Sequence, residues 1–158
     1  YDGNFLFFKS QLVFQEFLRD STARNLRELE EIAQKSVTVR PNNSKVALET
    51  GKMFLAILLG KRELDETIRR RVVLQSNLFF KKAVERRPND ALHAAFRAYS
   101  YFRTGDLDNA KKWSEKAIEL DKLNPHRDKD LSNTPFRVGG FESKLNIEQE
   151  LIVIRNQS

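Results

Sequence analysis

The sequence predicts an all-α fold of about three helix-turn-helix repeats followed by a C-terminal capping segment. Three observations carry this. Apolar residues recur at three- and four-residue steps through the first 125 positions. The pairs Pro41-Asn42, Pro88-Asn89 and Asn124-Pro125 punctuate the chain at repeat-like intervals. The 158 residues suffice for one ordinary domain, with about two-thirds of the unfolded surface buried.

The first predicted helix spans 4–18, with Phe7, Leu12, Phe14, Phe17 and Leu18 apolar, and ends at Asp20-Ser21-Thr22. The second spans 25–37 and carries Leu26, Leu29, Ile32 and Ala33 at helical steps. Pro41-Asn42-Asn43 stops it, because proline lacks a donor and asparagine suits turns. The third begins at Ser44 or Lys45, with Ser44 as N-cap, and ends at Gly60. The fourth runs over 63–86 and closes at Pro88-Asn89-Asp90. The fifth covers 91–103, ending at Thr104-Gly105, and the sixth covers 107–121.

The formal charge of +6 is unevenly placed: residues 61–87 hold nine basic side chains against four acids, whereas the stretch from His126 is neutral. Such a segment suits a nucleic acid or an acidic partner, and equally the solvated face of a long helix. At about 100° per residue, Leu64, Ile68, Val72, Phe79 and Ala83 share one arc, widened by Val73, Phe80 and Val84. The basic residues scatter: Arg70 and Lys81 take the polar side, while Arg69 and Arg87 border the apolar arc, where their stems cover it. The solvated-helix reading leads. Nucleic-acid binding through Arg69, Arg70, Arg71, Lys81, Lys82, Arg86 and Arg87 is the alternative, and predicts affinity falling steeply with salt.

Most enzyme chemistry finds no support. No cysteine is present for a disulfide, a thiolate zinc site or a nucleophile. His93 and His126 stand far apart with no acid at ligand spacing, and His93 reads as a surface or groove residue. Glu30-Glu31 and Asp65-Glu66 are adjacent, so they diverge on a helix. Gly139-Gly140 lacks the lysine and setting of a phosphate loop, and no nucleophile elbow occurs. Phe7-Phe8 and Phe79-Phe80 read as packing rather than base-stacking platforms. No metal or cofactor is expected. The longest apolar run, 53–59, falls far short of the roughly 20 residues that span a bilayer. The start at Tyr1 reads as a processed or shortened form, and composition leaves cytoplasm, periplasm or secretion open.

Residues 91–125, ALHAAFRAYSYFRTGDLDNAKKWSEKAIELDKLNP, resemble a tetratricopeptide repeat, a helix-turn-helix of about 34 residues with a code of small and large positions. Gly105-Asp106 matches the family's turn, Ala98, Ala110 and Ala117 its small positions, and Tyr101 its aromatic. Ala94 stands where the family has tryptophan and Lys122 where it has proline. In the preceding repeat Gly51, Phe54, Ala83 and Pro88 fit, with about eleven extra residues taken up by a longer helix or an inserted loop. In the first repeat Asn25-Leu26 and Pro41 fit, and Ser36 takes the late alanine place.

The resemblance implies a right-handed α-solenoid with repeats at about 4–43, 44–90 and 91–125, and a loop and cap over 126–158. Residues 127–140 read as loop, and 141–156 as a last helix lying on the sixth, with a strand at Ile152-Val153-Ile154 as the other reading. Pro135-Phe136 offers an aromatic that could fold back as an internal ligand mimic. The first helix of each repeat would line a concave groove for a peptide or protein partner. It would offer Phe14 and Leu18, then Leu48, Lys52, Leu55 and Ala56, then Leu92, Ala95, Tyr99, Phe102 and Arg103. Tyr99 and Phe102 would anchor, while Lys52 and Arg103 would meet a carboxylate. The asparagines with which some family members grip a C-terminal carboxylate are not matched. The expected function is a non-catalytic adaptor or scaffold. Self-association through exposed end repeats is a further alternative.

Overall fold

Side-chain caps set most of the helix ends. A computed structural model describes residues 3–61, 63–123, 136–143 and 145–157. The described helices are α1 (Gly3–Arg19), α2 (Ala23–Thr38), α3 (Ser44–Gly60), α4 (Glu66–Arg86), α5 (Ala91–Arg103), α6 (Leu107–Lys122) and α7 (Ile147–Arg155). Thr22, Asn43, Asp90, Asp106 and Asn146 each accept the N–H of the residue three further on, at 3.0–3.2 Å, which satisfies an otherwise orphaned donor. The cap of α3 is therefore Asn43, not Ser44, because the asparagine carboxamide reaches Val46 N. Asp65 Oδ1 accepts from Thr67 N at 2.9 Å and starts α4 three residues later than the periodicity suggests.

The chain divides into two units, Tyr1–Arg86 with Val138–Phe141, and Arg87–Arg137 with Glu142–Ser158.

In the first unit α1 pairs with α2 and α3 with α4. α3 is apolar around most of its circumference and buries nearly every residue from Val46 to Leu58, as a central helix must. The Phe54 and Phe79 rings stack across the α3–α4 seam at 5.7 Å and 10°, and neither is exposed. Gly51 permits the close approach beside them: a Cβ there would lie 2.9 Å from the Phe80 ring. Phe79 and Phe80 are thus core, whereas Phe8 is 58% exposed, which corrects the packing role expected for it. α1 buries Gly3, Leu6, Ser10, Phe14 and Phe17. The 3, 6, 10, 14, 17 stripe is the buried side of α1, so Leu12 falls on the solvent side. The extra length of the second helix pair lies in the helices themselves, with 17 residues in α3 and 21 in α4.

In the second unit α5 and α6 pack through alanines: Ala94, Ala98, Ala110 and Ala117 are all fully buried. On the edge of this seam Arg97 lies 4.2 Å from the centre of the Trp113 ring and donates from Nη2 to the Tyr101 hydroxyl at 3.2 Å. α7 turns Ile147, Leu151 and Ile154 onto both α5 and α6, and Ser114 Oγ donates to Leu151 O at 3.2 Å. His93 is 5% exposed, so it is a buried residue rather than a surface or groove one.

The C-terminal segment departs from expectation. Residues 136–138 and 141–143, read as loop and helix, form a hairpin of two three-residue strands, β1 (Phe136–Val138) and β2 (Phe141–Ser143). Gly139 and Gly140 turn it with φ of +53° and +87°, the positive pair that a tight twisted hairpin requires. Only 147–155 is helical, and Ile152-Val153-Ile154 lies within that helix. Most of the expected 127–140 loop, together with Pro135, lies outside the described residues.

Asp90, the cap of α5, gives this unit a pH dependence. Burial pushes its carboxyl up, but contacts with the His93 ring and N–H and the charge of Arg87 outweigh this and hold it below the ordinary 3.8. His93 Nδ1 lies 3.0 Å from Asp90 Oδ1. The stabilisation is full above the unfolded value and is lost as pH falls through the lower folded one. Asp90→Asn keeps the cap acceptor and removes the charge. Its unfolding free energy should fall below wild type at neutral pH, by on the order of 1 kcal/mol or less, and the two stability-against-pH curves should converge in acid. Parallel curves across the titration would assign the effect to something other than ionisation.

Candidate functional site

Within the first unit, the residues assigned to partner binding are mostly covered. Phe14 is fully buried, Leu48 and Lys52 are 5% and 6% exposed, and Leu55 and Ala56 are core. Leu18 is half-buried at the end of α1. Lys52 Nζ lies 3.2 Å from Glu49 Oε1 on the same helix face, an ion pair with little access to water. Phe14 is covered by the hairpin turn, since a Cβ on Gly139 would come within 2.6 Å of its ring. Beside it Gln15 Nε2 donates to Gly139 O at 2.8 Å, and Phe141 lies against Gly60 at the end of α3.

Within the second unit, the α5 residues at steps of three and four separate by depth. Ala95 and Tyr99 are buried, Leu92 and Phe102 half-buried, and Arg103 exposed. The Tyr99 phenol is pushed up to about 12 by burial and by the charge of Glu150 on α7, against the opposing pull of Arg103. It is therefore a neutral hydroxyl at any ordinary pH, set between an acid from α7 and a base one turn along its own helix. Phe136 of β1 sits on the same helix, its ring 5.8 Å from that of Phe96 and tilted 45°. This is where the internal aromatic suggested by the sequence is found.

The basic residues of α4, and Arg87 just beyond it, mostly have an acid, a ring or carbonyls as neighbours. Arg71 pairs with Glu30, which also accepts from Gln75 at 3.1 Å. Arg70 pairs with Glu66 at 3.4 Å and Lys81 with Glu85 at 3.9 Å, both exposed one-turn pairs. Lys82 lies over the Phe79 ring at 5.8 Å. Arg86 donates to Val37 O, Arg40 O and Asn43 O, and Arg87 approaches Asp90 at 3.6 Å. Arg69 is half-buried at the edge of the helix.

Two contributors were not singled out from the sequence: Gln15 and the Val138–Phe141 turn. The Val-Gly-Gly-Phe order was the available signal, a hairpin turn flanked by apolar residues. Nothing local indicates which helix that turn would meet.

The described helices pair as neighbours along the chain, with small residues at their closest approach and a last helix on the final pair. That is an all-α helical-repeat protein. Residues 95–122, most of α5 and all of α6, match the family model described as Tetratricopeptide repeat, which supports a TPR-like repeat there. A comparison with curated proteins gave no match. Repeats of this type are in general protein–protein interaction modules and typically not catalytic. Among the described residues no helix is long and apolar enough to cross a membrane.

Proposed function

We propose that the chain is a non-catalytic scaffold that holds a peptide or protein segment against the first helices of its repeats, as an adaptor within a larger assembly. The observation that carries this is the tetratricopeptide match over 95–122, on a helix pair whose α5 keeps Leu92, Phe102 and Arg103 accessible. Leu92 and Phe102 would supply apolar contact and Arg103 a charged hydrogen bond to a carboxylate on the partner. Leu18 is the accessible position on α1. Tyr99 would act from beneath, by holding the shape of the surface.

The test is affinity capture from native extract, with and without nuclease, beside a Phe102→Ser/Arg103→Glu variant. These positions are chosen because Tyr99 is buried and its truncation would disturb folding. A protein that survives nuclease and is lost from the variant supports the reading. A catch that vanishes with nuclease and ignores the variant sinks it in favour of the basic α4. That alternative further requires affinity to drop by about one log unit per log unit of salt for each phosphate contact. Mass that rises with protein concentration, with no captured partner, would point to self-assembly instead.

A further inference from the structure

We infer that the α1 surface around Phe14 and Gln15, with Gly60 of α3 beside it, is a turn-recognition site already filled by the chain's own Val138–Phe141 turn. The inference rests on the protein-binding reading above and names one ligand class for the first unit: a protein segment presenting a Gly-Gly turn between an aliphatic and an aromatic residue.

The chemistry of the contact is selective. The face of the Phe14 ring leaves no room for a side chain on the turn: a Cβ at Gly139 would stand 2.6 and 2.9 Å from two ring carbons. Glycine is also the residue that takes a φ of +53° without strain. Gln15 Nε2 reads the backbone at that point by donating to Gly139 O, and its amide also lies 3.2 Å from where a Cβ of Gly140 would be. Next to the turn, Val138 is 4% exposed and Phe141 packs against Gly60, a position where a Cβ would already stand 3.1 Å from the ring. The two glycines and the aromatic thus each meet a feature that suits them, beside an aliphatic residue that is buried.

Two three-residue strands do not form a stable ribbon alone, so the turn depends on packing, to which its seat on α1 and α3 contributes. Across that seat an exposed glutamine, Gln15, donates to Gly139 O. A segment in trans with the same turn competes for the same atoms, so it is opposed by a covalently tethered copy at high effective concentration. Site occupancy in cis sets a threshold that a partner must exceed.

The test uses the whole chain and a fluorescent peptide of residues 135–143, PFRVGGFES, read by anisotropy. Gly139→Val in the chain evicts its own turn, because a β-branched residue is strained at positive φ and strikes Phe14. This variant should bind the peptide at least tenfold more tightly than wild type does. Gln15→Ala added to it should weaken binding about fivefold, as expected for one lost hydrogen bond. A peptide carrying valine in place of its first glycine should not bind. Should Gly139→Val unfold by circular dichroism, Phe141→Ser loosens the turn at a half-buried position and serves in its place. Equal peptide binding by wild type and the loosened chain, or none by either, overturns the inference. Because the peptide assay needs no cellular partner, it can succeed while the capture experiment fails, and the reverse, so the two failures are told apart.

Discussion

Phe79→Ala should cost about 3–5 kcal/mol, the largest single loss expected in this protein. The ring is fully buried and stacked on Phe54 at 5.7 Å across the α3–α4 seam. Removing it forfeits transfer free energy and leaves a cavity that two long helices cannot easily close, because Gly51 already holds them near contact through Phe80. Domains of this size hold roughly 5–15 kcal/mol in total, so the variant would sit near the edge of folding. Urea titration reads the effect as a lowered midpoint at unchanged slope. Phe54→Ala should behave alike, and the double variant should fall short of additivity by about 0.5–1.5 kcal/mol, the worth of the stacked pair. A loss below about 1 kcal/mol from Phe79→Ala would mean that the α3–α4 seam is not a packed core.

Arg86→Ala should cost about 2–3 kcal/mol, although arginine substitutions near a surface usually matter little. Here the guanidinium donates to three carbonyls, Val37 O at 3.2 Å, Arg40 O at 3.3 Å and Asn43 O at 3.1 Å. It thereby closes the C-terminus of α2 and the turn that enters α3, placing positive charge where the helix dipole favours it. Burial draws Arg86 below its ordinary value, against the pull of Glu85, yet an arginine stays charged throughout the usable range. Arg86→Lys should recover less than half of the loss, since a single ammonium cannot span three carbonyls. Hydrogen exchange supplies the local check. The Asn43 amide, bonded to Arg40 O at 3.0 Å, should exchange faster in Arg86→Ala while the amides of α6 do not change. Full protection at Asn43 in the alanine variant would show that the turn holds without the arginine.

The legible part of this protein was its helix inventory. Residues 91–103 and 107–121 were placed to within a residue, because Asp90 and Asp106 cap through local bonds and Thr104-Gly105 ends α5 with Gly105 at φ +90°. The small positions were equally legible, since Ala98, Ala110 and Ala117 have no other reason to recur where two helices must touch. Burial of the site residues was harder to read. Tyr99 and Arg103 share a helix face by spacing, yet one is buried and the other open. Glu150 and the rest of α7, about fifty residues away, account for the difference.

Local sequence, then, determined the all-α class, the helix pairs, the capping residues and the basic character of α4, because each depends on residues within a turn or two of one another. Tertiary structure alone decided which arginine closes which carbonyls and which aromatic lies beneath which helix. It also decided where the Gly-Gly turn comes to rest. The Gln15–Gly139 bond joins positions 124 apart, and the Arg86 contacts span 43–49. Contacts of that separation arise from packing many weak, mutually consistent surfaces, so no short stretch of residues encodes them.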